Sequence, residues 1–212
     1  MTVNINNIKQ EQVVFLRNSD ILTTTQRGVT TSTDTGTFDD DSSHTLAVNP
    51  TTAKNVRSIT VSAAALELKN DYTVNYSTGV ITFIAAQTGD YTIIYDQGSD
   101  AIYPDFPRDD LGIDSYPRIA FDIMTVNTDA FGIGGSQFIS DIIFTVVVYA
   151  DNVDDIETYI QAIKDAIRAN AKLFFYVNFV KPTVTGPLIN SPDRKNEIMQ
   201  RNTDFQGMFQ IE

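Results

Sequence analysis

The sequence has no cysteine, no tryptophan and a single histidine, His44, in 212 residues. Without cysteine there is no disulfide, no thiolate nucleophile and no Cys-ligated zinc or iron–sulfur centre, and one histidine cannot build a multi-histidine metal site within a chain. Basic residues are scarce: 15 Lys and Arg stand against 27 Asp and Glu, a formal net charge of −12. Affinity for nucleic acid rests on clustered cations that neutralise phosphates, and the densest such feature is the local pair Arg194–Lys195. Long apolar runs are missing as well. The longest, "IIFTVVVYA", falls far short of the roughly 20 residues that a membrane-spanning helix needs, and "MTVNINNIKQ" lacks the apolar segment of a signal peptide. The expectation is a chain with no membrane partner and no signal-directed secretion.

What remains is the material of a globular protein. A hydrophobic share of 42% is enough for a core, and the length suits one domain or two small ones. Ile5, Ile8, Gln12, Phe15 and Leu16 recur at helical spacing and predict an amphipathic helix over the first 17 residues. "TTTQRGVTTSTDTGTFDDDSSH" shows little hydrophobic periodicity and reads as a long, mobile loop. From Thr45 the texture changes to short β-type runs: "TLAV", "VRSITV", "LEL", "DYTVNY", "GVITFI" and "DYTIIYD". Tyr72, Val74 and Tyr76 alternate, as do Val80, Thr82 and Ile84, with "STG" between them as a hairpin turn. These runs predict a small antiparallel β-sandwich, and "QGSDAIYPDFPRDDLG" marks the way out of it.

After that, "YPRIAFDIMTV", "FISDIIFTVVVYA", "LFFYVNFV" and "TDFQGMFQI" read as four strands around one clear helix. The expected map is therefore 1–44, a helix and loop belonging with the last domain; 45–100, an inserted β-sandwich; and 101–212, an α+β domain with a mixed β-sheet packed against helices. The strand "FISDIIFTVVVYA" is apolar on both faces. Both faces need cover, and two predicted helices are too few, which points to contact between subunits. That contact is assigned to Ile142, Phe144, Val146 and Val148.

The acids in "YADNVDDIETYIQAI" invite a metal or acid–base reading through Asp151, Asp154, Asp155 and Glu157. The helix itself explains them better. Ile156, Ile160, Ile163 and Ile167 share one face, with Val153 a turn earlier. Asp151 or Asn152 suits the N-cap, the carboxylates sit where the helix dipole favours them, and Arg168 and Lys172 lie at the other end. Asp34 and the run Asp39–Asp41 could attract calcium, but the spacing is not that of a calcium loop and an acidic loop is ordinarily just solvated. "FGIGGSQF" lacks the lysine and the following helix of a phosphate loop and reads as a turn. Tyr72, Tyr76, Phe83, Tyr91 and Tyr95 could stack on a sugar, although alternating aromatics more commonly pack a core. No enzyme motif, cofactor site or metal site is expected.

Over roughly residues 104–212, "YPRIAFDIM", a glycine-containing turn, "FTVVVYADNVDDIETYIQAIKDAIR", a further apolar strand and "RNTDFQGMFQIE" resemble the tail terminator and head-tail joining proteins of tailed viruses. The resemblance implies a ring, typically a homohexamer, that closes the tail tube and joins it to the head. Its partners would be other copies of itself, neighbouring neck and tail-tube proteins, and genome DNA that passes without specific binding. The protein would be made in the host cytoplasm and reside in the virion. On this reading the loop "NTDAFGIGGSQ", with Asp129, Gly132, Gly134 and Gly135, faces the channel. The reading from another class is a surface-binding module whose β-sandwich holds a carbohydrate or a host molecule.

Overall fold

The computed structural model describes residues 5–46, 53–76, 78–104, 117–131, 137–170, 178–191 and 198–211. The chain is α+β, mostly sheet, with three helices among the described residues. It forms two compact units: Met1–Leu22 with Ala101–Glu212, and Thr23–Asp100.

The first helix, α1 (Ile5–Asn18), buries Ile8, Gln12 and Leu16 and half-buries Phe15, as the spacing predicts, and it also buries Val13 and Val14, which the spacing does not single out. Leu22 completes this first segment, and the second unit begins with a short helix, α2 (Thr24–Arg27). Thr23 and Gln26 cap it reciprocally, each side chain bonding the other's backbone N–H, and Gly28 ends it in a left-handed conformation (φ 69°). What reads as a long loop is then a strand, β1 (Val29–Thr45), paired antiparallel along its length with β5 (Val80–Gly98). Residues 23–44 thus belong to the second unit, and the boundary moves from 44/45 to 22/23. The physical reason is that a sheet-edge strand needs few apolar residues. Val29 and Phe38 supply the buried contacts, while β-branched threonines suit the pleat and stay in water.

β2 (Ala53–Val61), β3 (Ala64–Leu66) and β4 (Tyr72–Asn75) complete an antiparallel sheet of order β1-β5-β2-β3, with β4 also on β5. The expected hairpin is present: Asn75 pairs with Val80, and Gly79 turns the chain at φ 71°. "GVITFI" and "DYTIIYD", expected as two strands, are one strand of 19 residues. Its first part pairs with β4 and the end of β1, and its last part pairs with β2 and the start of β1. Register shifts at Asp39/Asp41 and Asp41/Ser43 bend the ladder between these parts. The sheet closes over one core in which Ile59, Val61, Ile93 and Tyr95 meet Tyr72, Val74, Ile81 and Phe83.

In the other unit, β6 (Ile102–Tyr103) pairs parallel with β7 (Arg118–Phe131), which forms a long hairpin with β8 (Gln137–Ala150). After α3 (Val153–Ala169) come β9 (Asn178–Thr185), β10 (Ile189–Ser191) and β11 (Ile198–Ile211). The order is β10-β11-β8-β7-β6, with β9 also on β11. One parallel pair among antiparallel ones makes the sheet mixed. α1 and α3 contribute to a single core with it: Ile156, Ile160, Ile163 and Ile167 of α3 pack with Phe121, Phe144 and Phe205. The rings of Phe121 and Phe144 lie 5.0 Å apart, and those of Phe144 and Phe205 5.3 Å.

Candidate functional site: the two faces of β8

Side chains of a strand alternate between faces, so β8 presents two sets. Ile142, Phe144, Val146 and Val148 are 0–1% exposed and belong to the core shared with α1 and α3. This overturns their assignment to a subunit contact, because the helices of the same chain already cover them. The second set is Ile143, Thr145, Val147 and Tyr149; none of these joins that core, although Thr145 and Val147 are buried and Lys9 of α1 pairs with Asp122 in the same row. Across the ladder Thr145 stands between Asp122 and Asp204, Val147 between Ala120 and Asn202, and Tyr149 between Arg118 and Gln200. The Thr145 hydroxyl donates to Asp204 Oδ1 at 2.6 Å, which fixes the middle of the row.

On this second face lies a shallow groove of about 370 Å³, lined by Thr145, Val147, Tyr149, Ile189, Gln200, Arg201 and Asn202. Of the large hydrophobic side chains exposed among the described residues, Val184, Leu188, Ile189 and Met208 lie on β9–β11 or the link between β9 and β10. Ile189 is 46% exposed and Val184 58%. Clustered exposed apolar side chains mark places where another surface docks.

The acids at the start of α3 are accounted for locally. Asn152 is the N-cap: its side-chain oxygen accepts from Asp155 N–H at 2.8 Å, and its amide donates to Asp155 Oδ2 at 2.8 Å. Asp154 and Asp155 lie in the first turn, Thr158 donates to the Asp154 carbonyl, and Glu157 pairs with Arg201 of β11. Among the described residues no three His, Asp or Glu side chains are placed to hold a metal ion. Asp129 lies on β7 opposite Ile139, whereas Gly132, Gly134 and Gly135, with Lys172, Arg194 and Lys195, fall outside the described residues.

No protein-family model matches the chain, and no curated protein is significantly similar to it. Among the described residues no helix is long and apolar enough to cross a membrane.

In the second unit the aromatics face inward. Tyr72, Phe83 and Tyr95 are buried, and Tyr76 and Tyr91 pack against the same core. Burial raises the Tyr72 hydroxyl well above its ordinary value, helped by Tyr76 and Asp71. Sequence spacing gives no hint of the ionic cluster around Asp96. Arg27, with its side chain fully buried, donates to Asp96 Oδ2 at 2.8 Å and to Asp100 Oδ2 at 2.5 Å. Arg57 Nε and Thr31 Oγ1 donate to the other Asp96 oxygen at 2.8 and 2.9 Å. Burial alone would raise Asp96; the Arg57 hydrogen bond, the Arg27 charge and the Thr31 bond outweigh it and hold the carboxyl below its ordinary value. The cluster joins the segment that enters the unit to the one that leaves it. Its two acids, Asp96 and Asp100, lie 69 and 73 residues from Arg27 along the chain, so local sequence carries no signal for it.

Proposed function

We propose that the protein is a structural, non-catalytic ring component of the neck of a tailed virus, with a tail-terminator-like unit and an inserted β-sandwich as decoration. The supporting observation is the exposed apolar strip on β9–β11: Val184, Leu188, Ile189 and Met208 are all exposed in the isolated chain, and Ile189 lines the groove with Tyr149. The subunit contact is assigned to Val184, Leu188 and Ile189 and to that groove. The ring is a homohexamer that ends the tail tube and joins it to the head. In it, the end of β7 at Asp129 faces the channel, where a net charge of −12 keeps passing DNA from adhering.

The carbohydrate-binding alternative needs aromatics on the outside of the second unit; of those proposed for it, Tyr72, Phe83 and Tyr95 are buried in its core, and Tyr76 and Tyr91 are half-buried against it. Light-scattering mass and negative-stain images of the purified chain test the ring reading. The expected result is a closed ring whose subunit contacts bury more than about 1,000 Å², and which Ile189→Asp and Val184→Asp dissociate into folded monomers. A monomer at every concentration, alone and with tail-tube protein, would overturn the reading.

A further inference from the structure

Strand β1 is the edge of its sheet: β5 pairs with one side, and no described strand pairs with the other. From Val29 to Phe38 its register on β5 is unbroken, and residues 30–37 are all exposed or half-exposed. The side-chain hydrogen bonds of this stretch run inward or along the strand: Thr31 to Asp96 and Thr37 to Asp90 on β5, and Asp34 to His44 on β1 itself. Among the described residues no protein group bonds to the outward N–H and C=O groups of Val29–Phe38. A row of this kind is a template for another strand, and folded proteins ordinarily blunt it with Lys, Pro or a bulge. β9, an edge of the other sheet, is blunted in this way: it carries Lys181 and Pro182, and its pairing with β11 shifts register twice. The Val29–Phe38 stretch has no Lys, Arg or Pro, and its first register shift comes only after Asp39.

The charges beside this edge select its occupant. Between Gly28 and Ala53 the sequence has no Lys or Arg and carries Asp34, Asp39, Asp40 and Asp41. A second copy of β1 would bring the same carboxylates against these, and like charges on neighbouring strands repel. A strand bearing cations gains where a second copy loses. We propose that the outer edge of Val29–Phe38 accepts an extended, lysine- or arginine-bearing segment of a partner protein as an added strand. Main-chain hydrogen bonds would supply the affinity, and Asp39, Asp40 and Asp41 the preference for cations. The proposal concerns the second unit and stands apart from the ring reading of the first.

The test uses the full chain and a peptide of alternating Thr and Lys as long as the free stretch, with a Thr–Glu peptide of equal length as control. Amide hydrogen exchange is followed with and without each peptide. The Thr–Lys peptide should slow exchange at alternate residues of Val29–Phe38, and the Thr–Glu peptide should not. Binding should weaken about threefold to tenfold in the Asp39→Asn, Asp41→Asn double variant and fall further with salt. Adjacent N–H groups point to opposite sides of a strand, so of Ser32→Pro and Thr33→Pro one removes an outward donor and should abolish binding in a folded protein. Three results would overturn the proposal: no protection by the Thr–Lys peptide, equal protection by both peptides, or protection that rises with protein concentration in the absence of peptide, which would assign the edge to a second copy.

Discussion

Asp34 and His44 lie ten residues apart on one strand, yet Asp34 Oδ2 and His44 Nε2 are 2.8 Å from each other. Ten residues of straight strand would span about 33 Å. β1 therefore turns back on itself, and the turn sits at Asp40, a non-glycine residue at φ 61°. Phe38 packs between the two arms, stacked on Tyr91 at 4.1 Å and edge-on to His44 at 5.5 Å. Asp40→Gly should leave stability unchanged or raise it by up to about 1 kcal/mol, because glycine adopts that conformation freely, whereas Asp40→Val should cost about 1–2 kcal/mol. Urea midpoints of the full chain read both.

The two faces of β8 make a sharper prediction. Phe144→Ala removes a ring packed between Phe121 and Phe205 and should destabilise its unit by about 3–5 kcal/mol. Val147→Ala on the other face should cost clearly less in thermal or urea unfolding of the monomer. If the two substitutions prove equally costly, the assignment of the covered face is wrong.

The cluster around Asp96 should show in acid. Its carboxyl is held below the ordinary value, so its stabilisation is complete above that value and is lost as pH falls through the lower, folded-state value. Unfolding of the second unit, followed by the near-ultraviolet signal of its tyrosines, should steepen below about pH 4, and Asp96→Asn should flatten that dependence. Arg27→Met leaves Asp96 and Asp100 without the guanidinium between them and should cost about 3–5 kcal/mol at neutral pH.

The chain ends at the root of the second unit argue that each unit folds alone. Leu22 and Ala101 both lie in the core of the first unit, and Arg17 donates to the Ile102 carbonyl at 2.7 Å. Joining Leu22 to Ala101 by a short Gly/Ser linker should leave a cooperatively folded unit. Residues 23–100 expressed separately should also fold, since Val29 pairs with Gly98 and Arg27 binds Asp100. Circular dichroism and a single unfolding transition in each fragment check this.

At the start of α3, Asn152→Ala should cost about 1 kcal/mol, because the Asp155 N–H loses its acceptor. Asp154→Asn with Asp155→Asn should cost about 1 kcal/mol or less, through a weakened dipole interaction and a weaker Asn152–Asp155 side-chain bond. Thermal unfolding with and without calcium or magnesium measures both effects, and a shift on adding metal that these substitutions abolish would restore the metal reading.

The sequence by itself determined what depends on neighbours along the chain. Helical spacing in "IKQEQVVFL" and in Ile156, Ile160, Ile163 and Ile167 located α1 and the buried face of α3, and "NDYTVNYSTGVITF" located a hairpin. The acids at the head of α3 were legible as a helix start because capping acts within a single turn. Only the tertiary structure decided what depends on distant partners. "VTTSTDTGTFDDDSSHT" became a strand because β5 offered it a ladder, not because its own pattern demanded one. The faces of "IIFTVVVYA" were indistinguishable in sequence, since Phe144, Val146 and Val148 are no more apolar as a set than Ile143, Val147 and Tyr149. Which set joins the core built with α1 and α3 follows from how the strand is set in the sheet, and a strand's period of two makes that choice flip every side chain at once.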